Sequence, residues 1–233
     1  MEMEKEHEGF YNSVKSLLNL PDKEDRGIYG AVGQLLKVEE EYETAIETAL
    51  GGNIQNIVTD TEATAKRMVQ FLKQNKAGRA TFLPLTSIKN PQEFKNPEVL
   101  KEKGAIGMAD ELVNTDPKYR NVAKAMLGRI VVIDHIDNAV KIAKKFDYSV
   151  RMVTIEGELI VPGGAISGGA FKNNSNLLGR RREIEELEKK IVKIKSDIES
   201  YNKEIDEIKS NRNKIRMDIE KLKLNLQQTS IEH

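Results

Sequence analysis

The chain has 233 residues, with 37 Lys+Arg balanced by 37 Asp+Glu, so its formal net charge is zero. It contains no Cys, which excludes disulfides, thiolate nucleophiles and Cys-ligated zinc. Neutrality excludes a chain that coats nucleic acid or an anionic membrane with its whole surface, but leaves room for a local basic patch.

At the N-terminus, Met3, His7, Phe10, Val14 and Leu17 recur at alternating spacings of four and three until Pro21 stops the pattern, which predicts a coiled-coil stub over 1–20. His7 falls on that seam as a tolerated polar residue, since no second His or Cys lies near enough to make a metal site. The segment MEMEKEHEGF is charged and has no apolar export core. Apolar runs such as Ile130 to Ile133 are far too short to span a bilayer. The expectation is a soluble intracellular chain with no membrane partner.

Residues 21–179 contain an internal repeat. Gly27, Gly30, Leu35, Tyr42, Leu50 and Gly51 match Gly104, Gly107, Leu112, Tyr119, Leu127 and Gly128 at an offset of 77 residues. After a three-residue shift, Ile57 to Asp60 parallels Val131 to Asp134. Each copy reads as a glycine-marked turn, a helix (Tyr42 to Leu50; Tyr119 to Leu127) and a short apolar strand. A second helix (Glu62 to Lys73; Asn138 to Phe146) and another strand (Ala80 to Leu83; Arg151 to Ile155) follow. Asp60-Thr61 and Asp134 have the chemistry of N-caps for the second helices. The copies occupy 21–97, which includes a connector bearing Pro84, Pro91 and Pro97, and 98–179.

A strand over Glu158 to Val161 leads into Pro162-Gly163-Gly164-Ala165-Ile166-Ser167-Gly168-Gly169. A phosphate loop runs straight into a helix, and this spacing fits neither GxxxxGK[ST] nor GxGxxG. Tight turns account for the glycines, as does a strand edge that another backbone approaches closely.

All sixteen glycines lie at or before Gly179 and all six prolines at or before Pro162. From Arg180 onward 14 residues are basic and 12 acidic, so that nearly half the positions are charged. Ile184, Leu187, Ile191, Ile194, Ile198, Tyr201, Ile205, Ile208, Arg212, Ile215, Ile219, Leu222 and Leu226 alternate spacings of three and four without a slip. This narrow seam predicts a coiled-coil arm over 180–233, with about 64 Å of helix along the seam. Together these features predict an α+β, or mixed α/β, body of two pseudo-repeated subdomains between helices that form an antiparallel coiled coil. The C-terminal part of the arm exceeds any partner within the chain, so it either self-associates or, the favoured expectation, marks the chain as a fragment of a longer protein.

Candidate chemistry is sparse. His7, His135 and His233 lie far apart, no GxSxG elbow occurs, and Glu39-Glu40-Glu41 sits at a helix start as a solvated, dipole-favoured face. No catalytic residue, metal or cofactor is assigned. Lys172 and Arg180-Arg181-Arg182 at the junction of body and arm are either an ordinary charged neck or a phosphate-contacting patch for sequence-independent DNA binding.

A heptad arm that enters, a duplicated glycine-marked body, PGGAISGG, and a heptad arm that leaves together resemble the hinge domain of SMC (structural maintenance of chromosomes) proteins in its bacterial form. Gly27-Ile-Tyr-Gly, the segment from Tyr42 to Gly52, Ala77 to Leu85 and Pro162 to Gly169 carry the resemblance. It implies a homodimerisation module joining two arms, with Gly163, Gly164, Gly168 and Gly169 at the dimer contact. It also implies DNA contact, with single strands often favoured, through Lys172, Arg180, Arg181 and Arg182, and a cytoplasmic, nucleoid-associated setting. The family's ATPase motifs and head partners belong to a distant head domain, so the fragment itself is expected to have no ATPase activity. The lack of CxxC separates it from zinc-hook relatives. The alternatives are a chiefly DNA-binding module and a nucleotide-binding enzyme using the glycine-rich loop.

Overall fold

Two β-branched runs, each able to pack on both faces, become interior strands of two sheets. A computed structural model describes residues 9–169 and 177–231. In the first sheet, β3 (Ile57–Thr59) lies antiparallel to β1 (Ile28–Ala31) and parallel to β4 (Phe82–Pro84). In the second, β7 (Ile130–Ile133) lies antiparallel to β5 (Ala105–Met108) and parallel to β8 (Arg151–Thr154). Both antiparallel pairs carry a register shift at the same repeat position, between Ile28 and Gly30 and between Ala105 and Gly107. A Cβ on Gly27 or Gly104 would collide with the carboxylate of Asp60 or Asp134, which is why both copies keep glycine there. The mixed α+β architecture and its duplication thus agree with the repeat read in the sequence.

Helices connect the strands as expected, with shifted ends. After the single-turn α2 (Val32–Leu35), the first helices are α3 (Glu43–Leu50) and α5 (Arg120–Leu127), each entered through one 3-10 turn. The second are α4 (Glu62–Gln74) and α6 (Ile136–Lys145). Thr61 caps α4, its side chain accepting from the Thr64 N–H at 3.4 Å. His135, not Asp134, caps α6, with Nδ1 accepting from the Asp137 N–H at 3.3 Å. Asp134 accepts instead from Asn138 Nδ2, at 2.9 Å.

The halves join about a local pseudo-two-fold. Strand β2 (Lys37–Val38) pairs antiparallel with β6 (Val113–Asn114), and Lys37 stands opposite Asn114, its equivalent in the repeat. Helices α3 and α5, equivalent residue for residue, pack against each other. Ile28, Leu36, Ile46 and Leu50 share one buried cluster with Val113, Val122 and Leu127, so neither half has this core to itself. A smaller cluster, including Met108, Ile133, Ile142 and Met152, belongs to the second half.

The N-terminal alternation serves this body. Phe10, Val14, Leu17 and Leu18, around α1 (Asn12–Leu18), are buried in the shared cluster. Ser13 Oγ donates to the Arg79 carbonyl at 2.6 Å and anchors the helix. Met3 and His7 lie outside the described residues. The last helix, α7 (Leu177–Ile231), begins with Leu177 and Leu178 buried in the same cluster. A Cβ on Gly9 would lie 2.8 Å from Leu177 Cδ2, so the start of the described chain meets the start of α7.

The body extends through Arg182, and the helix from Glu183 is a second compact unit. Along that unit the apolar seam is exposed, from Ile184 at 38% to Leu226 at 72%. No helix among the described residues is long and apolar enough to cross a membrane.

Candidate functional site

Strand β9 (Leu159–Ile160) turns back as β10 (Ile166–Ser167), with Ile166 opposite Ile160 and Ser167 opposite Leu159. The second sheet runs β10-β9-β8-β7-β5, so β10 is an edge, and Ile166 on it is 54% exposed. The turn is closed by the Val161 N–H donating to the Ala165 carbonyl at 3.1 Å and the Gly164 N–H donating to the Val161 carbonyl at 3.0 Å. The Gly163 N–H donates to the Tyr148 carbonyl at 2.9 Å and ties the turn to the body.

The four glycines of this segment answer to different constraints. Gly163 (φ +91°) and Gly169 (φ +136°) adopt backbone that L side chains rarely enter, and nothing within the described chain lies within 4 Å of a Cβ built on either. Gly164 also has positive φ, and a Cβ there would sit 3.2 Å from the Tyr148 ring. Gly168 would bring its Cβ to 2.9 Å from Glu158 Cγ. Within the chain, Gly164 and Gly168 make room for side chains rather than for another backbone. The loop runs into a strand, so it lacks the helix N-terminus that would face a bound phosphate.

At the neck, α3 places Glu43, Ile46, Glu47 and Leu50 on one face, and all four are buried. Arg182 Nε donates to Glu43 Oε1 at 2.7 Å, and its Nη2 lies 3.4 Å from Glu40 Oε1. Glu40 is thereby an ion-pair partner as well as part of the acidic helix start. The Leu177 N–H, unsatisfied by its own helix in the first turn, donates to Glu47 Oε1 at 3.3 Å. Burial pushes the Glu47 carboxyl up to about 7, aided by the Glu43 charge and opposed by the Leu177 N–H and the Arg180 charge.

Of the neck cations read from the sequence, Lys172 lies outside the described residues, as does the Arg181 side chain. Arg180 is half-buried and Arg182 is engaged with carboxylates. Glu43 and Glu47, which sequence reasoning missed, betray themselves by sharing the helical register of Ile46 and Leu50. Among the described residues no group of three or more His, Asp or Glu is disposed to hold a metal.

Fold and site define a class: a duplicated α+β module with an exposed sheet edge at one place and a long helix whose start is clamped by buried carboxylates at another. Residues 25–143 match the family model described as the SMC proteins flexible hinge domain. The chain belongs to the SMC hinge family. It is 38% identical over 196 residues to the chromosome partition protein Smc of Bacillus subtilis, covering 83% of this chain but 16% of that protein's length. An asymmetric dimer of the Geobacillus stearothermophilus SMC hinge domain is similar at 38% identity and TM-score 0.72, over 84% of this chain and 80% of that one. The Pyrococcus furiosus SMC hinge domain is similar at 33% identity and TM-score 0.57, over 73% of this chain and 90% of that one.

Proposed function

We propose that this chain is the homodimerisation hinge of a chromosome-partitioning SMC protein, and that β10 with Gly163, Gly164, Gly168 and Gly169 forms its self-contact. The observation that carries this reading is the outer edge of β10, unpaired among the described residues, with exposed Ile166 between glycine pairs and, within the described chain, open space over Gly163 and Gly169. An edge strand of this kind templates pairing with another strand, and a second copy supplies one in a closed, symmetric assembly. The Geobacillus relative is itself an asymmetric dimer, which supports self-association of this chain. ATP hydrolysis and head partners belong, in this proposal, to the remainder of a longer protein.

Asp at Gly164 or Gly168 would disturb Tyr148 or Glu158 in the monomer, so Ile166→Lys is the cleaner test. Sedimentation equilibrium should give twice the 26.3 kDa chain mass for the wild type and a folded monomer for Ile166→Lys, with association weakened at least a hundredfold. An Ile166→Lys dimer of unchanged affinity would remove β10 from the interface.

DNA contact at the neck is the finer part of the proposal, carried by Lys172, Arg180, Arg181 and Arg182, with Arg182 the weakest candidate because Glu43 and Glu40 hold it. Charge reversal at Arg180 and Arg181 should weaken single-stranded DNA binding and flatten its dependence on salt. An unaltered titration would exclude both residues.

A further inference from the structure

We infer that a cavity at one end of the second sheet is a binding site for a small phosphorylated ligand with an apolar body. The starts of the parallel strands β7 and β8, the last turn of α5 and the connector around Phe94 border an open cleft of about 480 Å³, within the size range of small-molecule sites. Arg129, Arg151 and Lys95 line it against one carboxylate, Glu93. None of the three cations forms an ion pair with the described residues. Arg129 is held by a neutral partner, its Nη1 donating to Gln92 Oε1 at 2.6 Å.

The second observation is an orphan. Arg151 Nε is buried and has no hydrogen-bond partner among the described residues. A buried guanidinium N–H without an acceptor is a costly arrangement, and Arg151 sits at the first residue of β8, where the strand ladder holds its backbone in place. Nε itself is closed to the cavity, so an oxyanion bridging Arg151 and Arg129 would be held by their terminal guanidinium nitrogens, and its charge would offset the cost of the unpartnered Nε–H. Phe94 and Met126 form an apolar wall of the same cavity, so the site suits a phosphate carried on a ring or short alkyl body better than inorganic phosphate. The lining residues come from positions 92–96, 125–126, 129–130, 149–151 and 162, far apart in sequence and gathered only by the fold.

The test titrates the full 233-residue chain, at constant ionic strength, with phenyl phosphate, inorganic phosphate and phenol, read by calorimetry and by amide chemical shifts. Phenyl phosphate should bind saturably and at least tenfold more tightly than inorganic phosphate, with phenol silent. Arg151→Met should weaken phenyl phosphate at least tenfold with an unchanged or raised melting temperature, because it also removes the orphan donor. Should that variant not fold, Arg129→Gln and Lys95→Gln carry the test, each expected to weaken binding about threefold or more. Non-saturating uptake that treats both phosphates alike, an adventitious ion only, would overturn the assignment, as would full affinity in the Arg variants. So would an oligothymidylate lacking terminal phosphate that engages Arg129 and Arg151 while phenyl phosphate does not.

Discussion

In the first half of the body, β1, β3 and β4 make a three-stranded sheet that stops at β4. In the second, β5, β7 and β8 repeat that arrangement, and β9 and β10 extend it to five strands. The equivalent helices differ in chemistry as well. Glu43 and Glu47 of α3 are buried against the start of the arm, whereas their equivalents on α5 are the cations Arg120 and Lys124. Arg120 pairs with Asp110 at 3.2 Å within its own half, and Lys124 is exposed. Duplication therefore supplies a shared scaffold, while each half has acquired one asymmetric feature. The first clamps the start of the arm, and the second presents an edge.

The scaffold part of this comparison is tested by the largest effects. Leu50→Ala and Leu127→Ala empty equivalent positions, 2% and 0% exposed, in the shared core. Each should cost about 3 kcal/mol in denaturant unfolding. A discrepancy above about 2 kcal/mol would mean that one half relaxes around the cavity and the other does not. Arg182→Met leaves Glu43 buried and unpaired beside Glu47, and should cost about 2 kcal/mol, a value reduced because Arg182 is itself about one-third exposed. No loss of stability would show that the neck is not clamped through that pair.

The helix asymmetry is sharpened by pH. Glu47 has its pKa raised from the ordinary 4.5 to about 7 in the folded chain. Its stabilising contribution is complete below 4.5 and is lost as pH rises through about 7. Glu47→Gln keeps an acceptor for the Leu177 N–H and removes the buried charge. It should raise stability by about 2 kcal/mol at pH 8 and remove that slope. The equivalent Lys124→Gln should change stability by less than about 0.5 kcal/mol. Equal responses at the two positions would erase the distinction between α3 and α5.

The smallest expected effect concerns Glu62, which has no carboxylate counterpart on α6. Hydrogen bonds from Ser87 Oγ (2.6 Å) and Thr86 Oγ1 (2.5 Å) lower its pKa to about 2. Its contribution is present above 4.5 and fades as pH falls towards about 2. Glu62→Gln should therefore make the acid limb of thermal unfolding shallower in that window, with little change at pH 7. An identical acid limb would remove Glu62 from the account.

Much of the scaffold was legible because both copies place β-branched runs and glycines at matched positions, and strand propensity and glycine geometry act locally. The α6 cap was misread for a local reason: Asp134 and His135 both have capping chemistry, and Asp134 turns to Asn138. The first-twenty-residue alternation was legible as a helix pattern but not as to what covers it. Phe10, Val14 and Leu17 would suit an arm seam, yet the body buries them. A buried glutamate reads as a solvated one unless its register with Ile46 and Leu50 is weighed above its charge.

Periodicity was enough for the long helix with its narrow apolar seam, matched residues at a fixed offset for the duplication, and composition for the boundary between a glycine-bearing body and a glycine-free arm. These depend on spacings of a few residues and survive in any context that lets the chain fold. Which strand became the free edge, which carboxylates met Leu177 and Arg182, and which cations gathered around a common cavity depend on contacts between residues tens to more than a hundred positions apart. Such contacts are set by packing, and no local pattern encodes them. The zero net charge leaves the same distinction: it excludes a uniformly basic surface, while the fold alone decides which charges are paired, buried or left facing an open cavity.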